Sequence, residues 1–142
     1  MNKIFKVGLI GCGHISETYF RGHDYFNNFQ IIKCADINQE NANKCAETYN
    51  IQACSVKELL KDDEIEIILN LTIPRAHYEV AKQSLEHGKH VYSEKPMAVN
   101  FNEGEELLSL SKSKGLYIGN APDTFLGGGL QKSIDLINQD NI

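Results

Sequence analysis

The stretch Lys6-Val7-Gly8-Leu9-Ile10-Gly11-Cys12-Gly13-His14-Ile15-Ser16 reads as a short apolar strand, a tight turn and the start of a helix. Gly11 and Gly13 stand at G-x-G spacing, with Ser16 where a dinucleotide fingerprint has its third small residue. Each position has a physical task. Gly11 lets the chain turn sharply out of the strand. Gly13 has no Cβ to keep a pyrophosphate off the backbone, and a small third residue lets the helix pack close to the strand. The helix N-terminus then offers free N–H groups and about half a positive charge. An ordinary strand-to-helix turn uses the same glycines, so the rest of the chain must decide.

Strands and helices alternate throughout. Strand one covers about 4–10 and the first helix about 14–26, stopping at Asn27-Asn28, since Asn tolerates the left-handed conformation. A second strand, 29–35, ends at Asp36. Asn38 caps a second helix with Ala42, Cys45, Ala46 and Tyr49 on one stripe, and 51–54 is a short third strand. Ser55 and Glu58 form a capping-box pattern that opens a third helix. Residues 65–71, almost continuously apolar, suit a strand buried on both faces. Pro74 starts a fourth helix that turns Ala76, Val80, Ala81, Ser84 and Leu85 inward and stops at Gly88. A fifth strand covers 90–94. Asn102 with Glu105 predicts the cap of a fifth helix, acidic at its start, basic at Lys112 and Lys114, and ended by Gly115. A sixth strand follows at 116–119, and a last helix from about Gly128 carries Leu130, Ile134 and Ile137 on one face.

Six strands with helical crossovers imply a doubly wound parallel α/β sheet of Rossmann type. The glycine turn after strand one implies the order 3-2-1-4-5-6. Such sheets bind ligands outside the carboxyl ends of the strands. The special residues fall there: Gly11 and Gly13, then Asp36, then Asn70, Thr72, Pro74 and His77, then Glu94-Lys95-Pro96, and finally 120–123.

Length and composition narrow the partners. A chain of 142 residues suits one domain spanning 1–142, with about 121–142 as a connecting segment and helix. No segment approaches the ~18 apolar residues that cross a bilayer. The first ten residues, broken by Lys3, Lys6 and Gly8, do not form a secretory signal. A net charge of -5 without a basic cluster argues against nucleic acid or an anionic membrane as partner. Cys12, Cys34, Cys45 and Cys54 contain no C-x-x-C pair. Neither a zinc site nor a disulfide framework is therefore expected, and the four read as small packed hydrophobes in a reducing cytoplasm.

Asp36 follows Gly13 by 23 residues, near the ~20 expected of the acid that binds an adenosine ribose and repels a 2′-phosphate. Asp also serves as a turn or cap residue, and the glycine turn upstream favours the ribose role. Lys95 precedes Pro96, which holds it extended at the strand end, where an ammonium could stabilise alkoxide charge; a solvated surface lysine is the plainer alternative. His77 reads either as a neighbour of the cofactor or as a packing histidine. His14 contributes its backbone more than its ring.

Together these residues resemble the N-terminal domain of the Gfo/Idh/MocA (glucose–fructose oxidoreductase, inositol dehydrogenase) family. Gly8-Leu9-Ile10-Gly11-Cys12-Gly13 is similar to its nucleotide loop, and Leu71-Thr72-Ile73-Pro74-Arg75-Ala76-His77 to its strand-four motif. Gly88-Lys89-His90-Val91-Tyr92-Ser93-Glu94-Lys95-Pro96 is similar to its "GKHV…EKP" signature. Ala121-Pro122-Asp123-Thr124-Phe125-Leu126-Gly127 is similar to a variant found where many relatives have Tyr-Arg. The resemblance implies an oxidoreductase that moves a hydride between NAD, or NADP, and a CH–OH group of a sugar, cyclitol or related polyol. It implies a catalytic Lys95, a Glu94 beside the nicotinamide ribose, and no metal ligand. The residues expected around the cofactor are Gly11, Cys12, Gly13, His14, Ile15, Asp36, Leu71, Thr72, Pro74, His77, Glu94 and Lys95. The family also carries a second α/β domain that binds substrate, usually supplies the acid/base residue and forms homo-oligomers. The chain ends at Ile142, where that domain would begin, so the natural product is expected to be longer. Two other functions use a similar turn: a non-catalytic NAD-binding sensor or scaffold, and a methyltransferase holding S-adenosylmethionine. The Glu94-Lys95-Pro96 match argues against the methyltransferase.

Overall fold

Helices and strands alternate along the whole of the computed structural model, which describes residues 3–23, 25–121 and 127–139. The chain order is β1 (Phe5–Ile10), α1 (His14–His23), β2 (Phe29–Ala35), α2 (Gln39–Tyr49), β3 (Gln52–Ala53), α3 (Val56–Lys61), β4 (Ile67–Asn70), α4 (Pro74–Glu86), β5 (His90–Ser93), α5 (Phe101–Lys114), β6 (Ile118–Asn120) and α6 (Gly128–Asn138). Every pairing is parallel, and the sheet runs β3-β2-β1-β4-β5-β6, the order the sequence implies.

Apolar alternation divides the core between the two faces. Val7, Leu9, Ile31, Cys34 and Leu69 meet Tyr19 and Phe20 of α1 and Ala46 and Tyr49 of α2. Ile10, Ala35 and Ile68 meet Leu59 and Leu60 of α3 on the other face, and Val91 meets Ala81 and Leu85 of α4 and Leu107 of α5. Right-handed crossovers put helices on both faces in this way. Over β4 and β5 the first face is open: Ile67, Leu69 and the 38%-exposed Tyr92 floor an apolar groove of about 570 Å³ beside α1.

Local signals set most boundaries. Asn38 caps α2 by accepting from the Glu40 N–H, and Ser55 and Glu58 make both bonds of the capping box. Some boundaries differ from expectation. α1 stops at His23 rather than near Phe26, because Gly22 is a poor helix former and its carbonyl accepts from the Tyr25 N–H in a turn. α5 begins two residues earlier than expected: Asn100, not Asn102, is the cap, and its side chain accepts from the Glu103 N–H. β6 starts at Ile118, because Leu116 N–H still bonds Ser111 around the left-handed Gly115 cap. In α6, Leu130, Ile134 and Ile137 share a face as expected and are all exposed. Pro122-Asp123-Thr124-Phe125-Leu126, most of the motif after the sixth strand, lies outside the described residues.

Register matters most for the site. Ile10 pairs with Ala35 on one side and Asn70 on the other; Asn70 pairs with Ser93, and Ser93 with Asn120. The next residues of these strands, Gly11, Asp36, Leu71, Glu94 and Ala121, therefore emerge side by side along one edge. A bulge between Val7 and Gly8 admits one extra residue into β2 and brings Ala35, hence Asp36, into that row.

Candidate functional site

At the β1–β2 end of this edge the backbone does most of the shaping. Gly11 has φ +102°, and a Cβ there would lie 2.6 Å from the Leu71 backbone, so only glycine fits. A Cβ on Gly13 would meet nothing within 4 Å, which leaves open space before α1. Ser16 is buried, and its hydroxyl donates to the Gly13 carbonyl at 2.7 Å, so the departure from Gly or Ala is small and satisfied. Asp36 is held by two backbone donors: Cys12 N–H to Oδ2 at 2.7 Å and Asn38 N–H to Oδ1 at 2.8 Å. Both oxygens keep acceptor capacity for hydroxyl donors. An open glycine surface, a helix N-terminus and an aimed carboxylate fit the pyrophosphate and ribose of a dinucleotide. His14 and Ile15 begin α1 and are exposed, whereas the Leu71 side chain packs in the core and only its backbone lies against Gly11.

At the β4–β5 end, side chains do the shaping. A cavity of about 610 Å³ is walled by Ile15, Tyr19, Thr72, His77, Glu94 and Lys95, with Pro74 at its rim. Asn70, fully buried, organises it. Its Nδ2 donates to His77 O at 3.0 Å and Ser93 Oγ at 3.3 Å, while its Oδ1 accepts from Thr72 Oγ1 at 2.7 Å. His77 is 1% exposed, with Nδ1 2.5 Å from Pro96 O and Nε2 2.8 Å from Thr72 O. Its ring thus braces the two loops that flank the cavity. Glu94 accepts from Tyr19 OH at 2.7 Å and from Lys95 N–H at 3.1 Å. Burial, then the Glu94 carboxylate, pushes the Tyr19 hydroxyl well above the ordinary tyrosine range. Asn120 Nδ2 donates to the carbonyls of Ser93 and Glu94, tying the strand end beneath Lys95. Lys95 itself is exposed at the cavity wall, and the bond to Pro96 is cis.

The apolar groove beside α1 is of similar size but almost wholly apolar, whereas polar groups converge at the carboxyl edge. Tyr19 was absent from the residues expected there. It follows Ile15 by one helical turn, and that i, i+4 spacing is the signal that could have found it. The four cysteines are free and pack in or against the core, as expected. Cys12, Cys34 and Cys45 lie together despite their unpromising spacing. The Cys12 thiol donates to the Ala35 carbonyl at 3.6 Å and the Cys34 thiol to the Ala42 carbonyl at 3.4 Å.

Residues 5–121 match the model of GFO_IDH_MocA, an oxidoreductase family with an NAD-binding Rossmann fold. The chain is 32% identical over 117 residues to glucose-6-phosphate 3-dehydrogenase of Bacillus subtilis (strain 168), covering 78% of this chain and 33% of that protein. It is 30% identical over 115 residues to scyllo-inositol 2-dehydrogenase (NADP(+)) IolW of the same organism, covering 80% and 32%. Biliverdin reductase from Synechocystis sp. PCC 6803, solved with biliverdin and NADP+, superposes with a TM-score of 0.86 at 27% identity, covering 94% of this chain and 42% of that one. The match thus spans about a third of the length of these two curated relatives.

Proposed function

The chain belongs to the GFO_IDH_MocA oxidoreductase family as its NAD(P)-binding Rossmann domain, and on that premise we propose that it serves a dehydrogenase acting on a sugar, cyclitol or related polyol. The register that lines up Gly11, Asp36 and Glu94 along one edge, with Lys95 beside them, carries this reading. Gly13 would receive the pyrophosphate of a dinucleotide, Asp36 its adenosine ribose, and the cavity beside Lys95 its nicotinamide end. Asp36 favours NAD over NADP, because its carboxylate repels a 2′-phosphate and the following Ile37 and Asn38 carry no positive charge.

The bound nicotinamide supplies the hydride acceptor or donor. The chain's own groups do the rest. The Lys95 ammonium stabilises negative charge developing on the substrate oxygen. Glu94, held by Tyr19, would accept from the nicotinamide ribose hydroxyls, and Asn70, Thr72 and His77 position the loops that carry these groups. A second domain, present in the family and outside this chain, binds the substrate, moves its proton and forms the oligomer.

The test is Lys95→Met in the enzyme that contains this domain. Single-turnover hydride transfer should fall ~100- to 1,000-fold, about 2.7–4 kcal/mol in barrier, while directly titrated cofactor affinity changes little. An unchanged rate, or a loss wholly explained by weaker cofactor binding, removes Lys95 from the reaction.

A further inference from the structure

Behind the glycine turn, three thiols from three elements converge. Cys12 comes from the turn, Cys34 from β2 and Cys45 from α2, and their Sγ atoms all lie within 4.8 Å of one another. Cys34 is wholly buried, Cys45 is 7% exposed, and Cys12 is half-buried. We propose that Cys12, Cys34 and Cys45 form a three-sulfur binding site for a soft, thiophilic metal cation.

The donor set selects the class. Thiolates prefer soft ions such as Cu(I), whereas hard cations such as Mg²⁺ and Ca²⁺ require oxygen. Structural zinc takes four ligands, and among the described residues no histidine, carboxylate or fourth thiol completes this group. Three sulfurs about 2.3 Å from a central ion stand roughly 4 Å apart, so the present spacing closes onto an ion through small side-chain rotations. Cys12 is the member of the three with the greatest access to solvent. Each thiol that binds as a thiolate releases its proton to solvent. Cys54 stands outside the group, its Sγ directed at the Cys34 carbonyl, and serves as the internal control.

The site does not depend on the dehydrogenase reading, and its test uses binding rather than turnover. This chain is titrated with Cu(I) without oxygen, in competition with a chromogenic Cu(I) chelator, and the thiolate-to-copper absorption in the ultraviolet is followed. One Cu(I) per chain is expected. Cys45→Ala suits helix α2 and should weaken binding at least ~100-fold, beyond what loss of an outer contact causes. Cys45→Ser, which keeps the size but not the soft donor, should do the same, and Cys54→Ala should leave affinity unchanged. Circular dichroism checks that each variant is folded. The proposal is overturned if the chelator strips Cu(I) equally from every variant, if loss follows Cys54, or if Cys45→Ser binds like the wild type.

Discussion

The two ends of the carboxyl edge are built from different materials. Around Gly11 and Gly13 the surface is backbone, and one side chain, Asp36, is aimed by two N–H groups. Around Lys95 the surface is side chain, with Tyr19, Asn70, Thr72, His77, Glu94 and Asn120 linked by hydrogen bonds across α1, β4, α4, β5 and β6. A backbone site admits no added atom where it is tight and is indifferent where it is open. In a side-chain network the cost of losing one member depends on burial: a partner stranded in the interior is costly, whereas a half-exposed one such as Glu94 can turn to water. The difference is between a surface shaped by backbone conformation and one shaped by how side chains from five elements meet.

Substitutions at the two ends should therefore fail unequally. The largest effect is expected for Gly11→Ala, which combines φ +102° with a Cβ 2.6 Å from the Leu71 backbone. Strain and overpacking together should lower stability by at least ~2 kcal/mol in urea denaturation and abolish dinucleotide binding. A folded, binding Gly11→Ala protein would break the contrast at its stronger end. Gly13→Ala, by comparison, meets nothing and should retain stability while weakening cofactor affinity.

Next in size is Asp36→Ala. Loss of its charge-assisted bonds should reduce NAD affinity by about 1.5–3 kcal/mol, roughly 10- to 150-fold, and narrow the preference for NAD over NADP. Calorimetry with both dinucleotides measures this, and equal loss for the two would remove the ribose role.

The smallest effect is expected within the network. Tyr19→Phe removes one bond to Glu94 and leaves the one from Lys95 N–H, so stability should fall by only ~0.5–1.5 kcal/mol. Its pH signature is sharper. The Tyr19 hydroxyl is held above its ordinary range by burial and then by Glu94, so it keeps its proton in the folded state while the unfolded chain ionises near pH ~10. Its contribution is present below that pH and lost as pH rises toward the folded value. The wild type should lose stability there and Tyr19→Phe should lose less; parallel pH profiles would show that the hydroxyl is not held.

The same contrast explains what could be read in advance. Strand order, Asp36 and the glycine turn follow from short-range patterns, because backbone geometry is written in Gly, Asn and apolar spacing. The Asn38 cap and the Ser55–Glu58 box were legible for that reason, and Asn102 misled only because Asn100 offers the same chemistry one half-turn earlier. Tyr19 and the meeting of Cys12, Cys34 and Cys45 were not, because they depend on which face of a helix meets which strand after folding. His77 is informative in both respects. Its buried ring, engaged at both nitrogens, packs between Thr72 and Pro96 and lines the cavity beside Lys95.

The extra residue that β2 carries opposite Val7 and Gly8 has a consequence for how such a domain can change. Insertions in the loops beyond the carboxyl edge leave the row intact, whereas a deletion inside a strand reverses which face each later side chain occupies. The bulge is the one place in this pair with a residue to spare: without Ile32, Lys33, Cys34 and Ala35 can still pair with Gly8, Leu9 and Ile10, whereas a deletion within β1 would pull Gly11 and Cys12 back from Asp36. Asp36, Cys12 and Cys34 thus share one mechanical register, and loop length is left as the freer variable for altering the shape of the cleft.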